Sequence, residues 1–161
     1  MVNPSKILTA LAGTYSLLNT SSYHLGVAIP DASYGTAPVG ILMYSAAGYM
    51  SATITATENE FRPGNLTFPF LLGQSDLDWA LIGKHSIGYA GPLSVNTALP
   101  ATKTNGQVFH GPLVVANVPN MAGATHKRNY TVVERGDGTY LRIGSQREGG
   151  YTGELWWKKV A

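Results

Sequence analysis

The sequence predicts an all-β fold, an antiparallel meander or barrel, on three observations. Strand-like runs recur along the chain with turn residues between them. The 19 Gly and 9 Pro supply those turn signals. Only 12% of the residues are Asp, Glu, Lys or Arg, about half the usual ~25%, which suits a compact, turn-rich β protein. At 161 residues the chain can bury one core, so a single domain over residues 1–161 is expected.

Taken in order, "MVNPSKILTALAG" has one Lys and an apolar stretch too short and broken for the hydrophobic segment of a secretory leader. It is read as a short helix that is retained. Strands are expected at about 13–20, 39–45, 47–57, 85–96, 106–118, 127–135, 139–145 and 153–160. Their connections carry turn chemistry: "SAAG" at 45–48, "TNG" at 104–106 and "RGDG" at 135–138, where Asp137 and Gly138 suit a tight hairpin. The stretch "ENEFRPGNLTFPFLLGQSDLDWALIG", 58–83, breaks the rhythm with two Pro, several aromatic residues and a helical turn around Asp76–Ile82. Excursions of this length in a small domain are commonly functional, and this one is read as a cover over a cavity or a plug. Within it, Asp78 is read as a helix-start residue followed by a buried Trp79.

Composition excludes several classes of function. The formal charge of +2 arises from 11 basic and 9 acidic residues spread along the chain. No stripe exists to release counterions from a phosphate backbone, so no nucleic-acid partner is expected. The one basic cluster, His126-Lys127-Arg128, reads as the opening of a strand. The absence of Cys removes disulfides, thiolate metal sites and cysteine nucleophiles and fits a reducing, cytoplasmic compartment. Sequons at Asn19, Asn65 and Asn129 matter only in a secreted protein. No stretch approaches the ~18 apolar residues of a membrane span. The glycines spell no phosphate loop or dinucleotide fingerprint, and there is no G-x-S-x-G elbow. His24, His85, His110 and His126 lack the spacing of a zinc helix, so neither metal nor cofactor is expected.

Alternation separates candidate inner and outer faces. "GYMSATITAT" sets Met50, Ala52, Ile54 and Ala56 against Tyr49, Ser51, Thr53 and Thr55, and "GILMYSA" sets Leu42 and Tyr44 against Ile41 and Met43. An apolar interior and a hydroxyl-lined cavity both fit this pattern. "GKHSIGYAG", 83–91, places His85, Ile87 and Tyr89 opposite Ser86, Gly88 and Ala90. The larger set is expected to face into a barrel, because only it fills space. "VFHGPLVVAN" puts His110 in phase with Val108, Pro112, Val114 and Ala116, where a hydrogen-bonded core histidine and a catalytic one are both readable. "GELWWKKV" sets Trp156 opposite Leu155 and Trp157, so one indole looks inward.

Taken together, "GTY" at 13–15, "GILMY" at 40–44, "GYMSA" at 48–52, "YAGPLSV" at 89–95, "PNMAGATHKR" at 119–128 and "LWWKK" at 155–159 resemble the lipocalin-like domain proteins of bacteria and of fungal biosynthetic gene clusters. The resemblance covers most of the chain. Its most specific pieces are Gly48-Tyr49-Met50-Ser51-Ala52 and the order Pro119, Asn120, Gly123, Arg128, and the "GKHSIGYAGP" spelling is nearer the fungal members. It implies a closed, calycin-type antiparallel β-barrel of eight or more strands around a central cavity, with a short N-terminal helix packed at one end. The family brings no universal catalytic residues to carry over. Tyr15 stands where many lipocalins keep Trp, and 58–83 replaces what is often a shorter, more charged connection.

Two classes of function follow. A small cofactor-free isomerase or cyclase acting on an apolar, polyketide-derived intermediate would use His85 or His110 as its base. Tyr89 would donate to a developing enolate and Arg128 would supply the stabilising charge. Tyr15, Tyr44, Trp79 and Trp157 are the expected ligand contacts. A binding or carrier protein would hold the same kind of hydrophobic small molecule unchanged, and a barrel with a filled interior would take none. Convergence of two titratable groups within hydrogen-bond reach inside the cavity favours the enzyme.

Overall fold

The computed structural model describes residues 2–160. Helix α1 (Pro4–Leu11) opens with Pro at its first turn and with the Asn3 side chain accepting from the Ser5 backbone N–H at 2.9 Å, an N-terminal arrangement that satisfies one orphan donor. Strand β1 (Gly13–His24) follows, then β2 (Val27–Ile29), β3 (Val39–Tyr44) and β4 (Tyr49–Thr55). Helix α2 (Asp76–Lys84) precedes β5 (Ser86–Val95). The chain continues through β6 (Asn105–His110), β7 (Val115–Ala116), β8 (His126–Arg135), β9 (Gly138–Arg147) and β10 (Tyr151–Lys159).

Neighbouring strands pair antiparallel, and β10 returns to pair with β1. The result is the closed antiparallel barrel expected from the sequence, eight-stranded, with β2 and β7 as short additions to β1 and β5. Leu42 and Tyr44 on β3 and Met50, Ala52 and Ile54 on β4 are buried, whereas Ile41 and Met43 are exposed. The interior is therefore the apolar face, and the hydroxyls of β4 look outward. At one end α1 acts as a plug. Its Ile7 and Leu11 join Leu93 and Val95 in the core, and Leu8 approaches Gly48 in the β3–β4 turn. The Tyr15 hydroxyl donates to the Leu11 carbonyl at 2.7 Å, tying helix to barrel.

The seam between β1 and β10 carries a bulge. Tyr15 faces Lys159 and Leu17 faces Trp157, after which Leu18 is skipped and Asn19 faces Trp156. An extra residue on one strand lets Leu17 stay inside while Leu18 is turned out. Trp157 is buried, and Trp156 stands half-buried on the opposite face, as the alternation predicts.

Three sequence expectations are corrected. The run 106–118 is not one strand, because residues 111–114 leave the ladder and press so closely on Gly91 that a Cβ there would meet Leu113 Cα and the Pro112 carbonyl at 2.9 Å. Pro112 has no N–H for the ladder, and β7 resumes pairing with β5 only at Val115. The phase is broken with it, so Val114, expected beside His110, is exposed. The strand read into "GKHSIGYAG" begins at Ser86. His85 instead caps α2, its N–H bonded to the Leu81 and Ile82 carbonyls at 3.1 and 3.3 Å. The β8–β9 hairpin turns on Gly136 and Asp137, since Arg135 already pairs with Gly138.

Candidate functional site

A cavity of about 160 Å³ lies at the barrel end away from α1. Leu42, Ile54, Ile143 and Leu155 form its apolar walls. Its polar groups come from different strands: Tyr89 from β5, His110 from β6, Arg128 from β8, Ser145 and Arg147 from β9, with Trp157 from β10. The β2–β3 connection adds Asp31, Ser33 and Tyr34 at the mouth. Each strand residue reaches the cavity through period-two alternation. His110 follows Val108 and Arg128 precedes Tyr130, both of which are buried in the core.

The Tyr44 hydroxyl and His110 Nε2 stand 2.6 Å apart, and His110 is 1% exposed. His110 Nδ1 has no hydrogen-bond partner, nor has the buried indole N–H of Trp157. Burial lowers the His110 pKa to about 3, with the nearby Arg128 charge and His126 acting in the same direction. The imidazole is thus neutral at physiological pH. Burial raises the Tyr44 pKa well above the usual range, with Tyr89 adding to the effect and Arg128 opposing it. Tyr89 is raised by burial, while the Arg128 guanidinium beside it favours its ionised form. Tyr34 is raised by burial, then by Tyr89 and Asp31, against Arg147 and Arg128. The Tyr34, Tyr44 and Tyr89 hydroxyls therefore stay protonated around one neutral imidazole and two guanidiniums.

The mouth is organised by Asp31 and Glu58. The Asp31 carboxylate accepts from the Ser33 and Tyr34 backbone N–H groups at 3.1 and 2.9 Å and from the Ser22 hydroxyl at 3.2 Å. Glu58 accepts from the Thr36 backbone N–H at 2.6 Å and its hydroxyl at 2.9 Å, and these bonds hold the Glu58 pKa down at about 2.

His110, Tyr89, Arg128, Tyr44 and Trp157 are thereby gathered at one place. His85 is not. Its Nδ1 bonds the Ser33 carbonyl at 2.8 Å and its ring stacks on Phe61 at 3.9 Å, a buttress behind the mouth loop, because the helix end takes it out of phase with Tyr89. Tyr15 lies in the core with its ring 6.2 Å from that of Tyr44, one layer below the cavity. Trp79, expected as a ligand contact, sits on α2 in a separate shallow groove with Phe68, Phe70 and Leu71. The excursion 58–83 does not itself line the cavity. It braces the β2–β3 loop that does, through Glu58, and Arg62 pins it to the Thr55 hydroxyl and the Ala56 carbonyl at 3.1 and 3.3 Å. The sequence reading missed Tyr34, Asp31, Ser145 and Arg147. The latter two continue the inward phase of Leu141 and Ile143 and become visible once β9 is extended to Arg147.

A family model described as a lipocalin-like domain matches residues 12–160. The chain belongs to the lipocalin-like domain family. A solved structure of a redesigned β-barrel is similar over 96% of each chain, at 9% identity and a TM-score of 0.39. No curated protein matches the sequence. A lipocalin-like barrel is suited to holding or handling hydrophobic small molecules. In this lipocalin-like domain the described residues include no helix long and apolar enough to cross a membrane and no group of three or more His, Asp or Glu placed to hold a metal ion.

Proposed function

We propose that this lipocalin-like protein is a cofactor-free isomerase or cyclase. Its substrate is an apolar, enolisable carbonyl compound of the polyketide-derived kind met in secondary metabolism. The observation that carries the reading is the Tyr44–His110 pair at 2.6 Å, with Tyr89 and Arg128 lining the same cavity. In the tautomer that makes His110 a base, Nε2–H donates to the Tyr44 oxygen and Nδ1 carries the lone pair. Nδ1 removes a proton α to the substrate carbonyl, and the C–H electron pair moves onto the carbonyl oxygen. Arg128 and the Tyr89 hydroxyl stabilise that charge in a low-dielectric setting where it is weakly screened. The imidazolium then returns the proton at another carbon, completing an isomerisation. Alternatively, the enolate carbon attacks an electrophilic carbon of the same molecule and the proton goes to the oxygen formed. A base as weak as His110 suits C–H groups already acidified by a second carbonyl.

The test is turnover of the intermediate that accumulates when the gene is disrupted. His110→Ala is expected to lower kcat by about 10²–10⁴, and Tyr89→Phe or Arg128→Gln by up to about 10²–10³, with circular dichroism unchanged. Recovery of the intermediate unaltered from wild-type protein that binds it establishes the carrier reading instead.

A further inference from the structure

The polar groups of the cavity are unevenly matched. Arg128 and Arg147 both line it, and among the described residues neither is ion-paired, though one Arg128 N–H donates to the Lys127 carbonyl at 2.8 Å: the salt bridges are Arg142 with Glu154 and Lys158 with Asp137, away from the cavity lining. The single carboxylate lining it, Asp31, is engaged by two backbone N–H groups and a hydroxyl of its own neighbourhood. The Trp157 indole is 2% exposed and lacks an acceptor. An indole N–H can only donate, and a guanidinium presents a planar fork of donors that matches two oxygens at once. Of these donors the indole N–H is the one buried without an acceptor, which is unfavourable, and a ligand that supplies an acceptor removes the penalty while offering its charge to the free guanidinium N–H groups. Four apolar walls facing these donors call for a hydrocarbon body on the same molecule.

Resting on the reading above, we propose that the cavity selects small organic anions whose charge is shared between two oxygens, the class of 1,3-dicarbonyl enolates and carboxylates, with Arg147 at the mouth as the charge-selecting residue and Arg128 and Trp157 as inner donors. Arg147 is exposed on the last residue of β9 and takes no part in the proton transfers proposed for His110. An anion beside Arg128 also offsets the positive field that helps to keep His110 weakly basic, so a bound enolate, the species that proton removal generates, favours the imidazolium that returns the proton.

The experiment is calorimetric titration of the intact protein at neutral pH with three probes of similar size: 1,3-cyclohexanedione, cyclohexanecarboxylate and 3-methoxycyclohex-2-enone, the neutral methyl ether of the first. At least one anion is expected to bind ten-fold or more tightly than the ether. That ratio should shrink with added salt, fall towards one in Arg147→Gln and recover in Arg147→Lys. Equal affinity for all three probes, or a ratio untouched by Arg147→Gln, overturns the proposal. Binding is read without turnover, so an anion preference in a protein that converts nothing upholds this inference while removing the catalytic one. Turnover without anion preference does the reverse.

Discussion

His110 shows how one position ties the proposed chemistry to stability. The folded protein holds its pKa near 3, below the ordinary 6.5. As pH falls through 6.5 the unfolded chain therefore takes up a proton that the folded protein refuses. The stability tied to this residue is full above that pH, declines as pH drops and levels off near pH 3. The ceiling on the loss is about 5 kcal/mol, at 1.36 kcal/mol per unit. Urea unfolding midpoints are expected to fall between pH 6.5 and 4 in the wild type and to fall less over that range in His110→Gln. For the same reason kcat/KM should show no inflection near pH 6.5, because the base is already unprotonated there. A rate that halves at that pH assigns the proton transfer to another group.

At the level of elements, the β2–β3 loop is held less by its own sequence than by the segment after β4. Gly35 has φ +70°, and a Cβ there would run into the Glu58 carboxylate, so a residue free of a side chain lets Glu58 reach the Thr36 N–H. The Glu58 pKa of about 2 lies below the ordinary 4.5, so the latch is intact above pH 4.5 and is released as pH falls towards 2. The Thr36 amide resonance is expected to titrate with a midpoint near 2. Gly35→Ala and Glu58→Ala should both speed amide exchange over residues 31–37 while leaving β3 and β4 protected. This element also marks where sequence reasoning stopped. Met50, Ala52 and Ile54, or Val108 and His110, announce their face because a strand repeats every two residues. Asp31, Ser33 and Tyr34 reach the cavity from a loop with no period. His85 escapes the strand alternation because a helix end and a strand start compete for the same residues, and only tertiary contacts decide between them. The bulge at Leu18 and the departure of 111–114 from the ladder reset the phase in ways alternation cannot signal.

Across the whole molecule, closure depends on β1 meeting β10, residues far apart in sequence, and on α1 filling the end they leave. Leu11 is fully buried where that plug meets the barrel, with its carbonyl bonded to Tyr15. Leu11→Ala is expected to destabilise by about 2–5 kcal/mol, as cavities in packed cores do. Denaturant unfolding measures it, and a change under about 1 kcal/mol means the helix is peripheral to the fold. The plug also governs traffic. A vessel with a blind end is served by one door, so a molecule leaves by the way it came and an occupant bars the next arrival. Exchange of one guest for another then passes through an empty barrel, and whatever the barrel makes or releases competes directly with whatever it takes in.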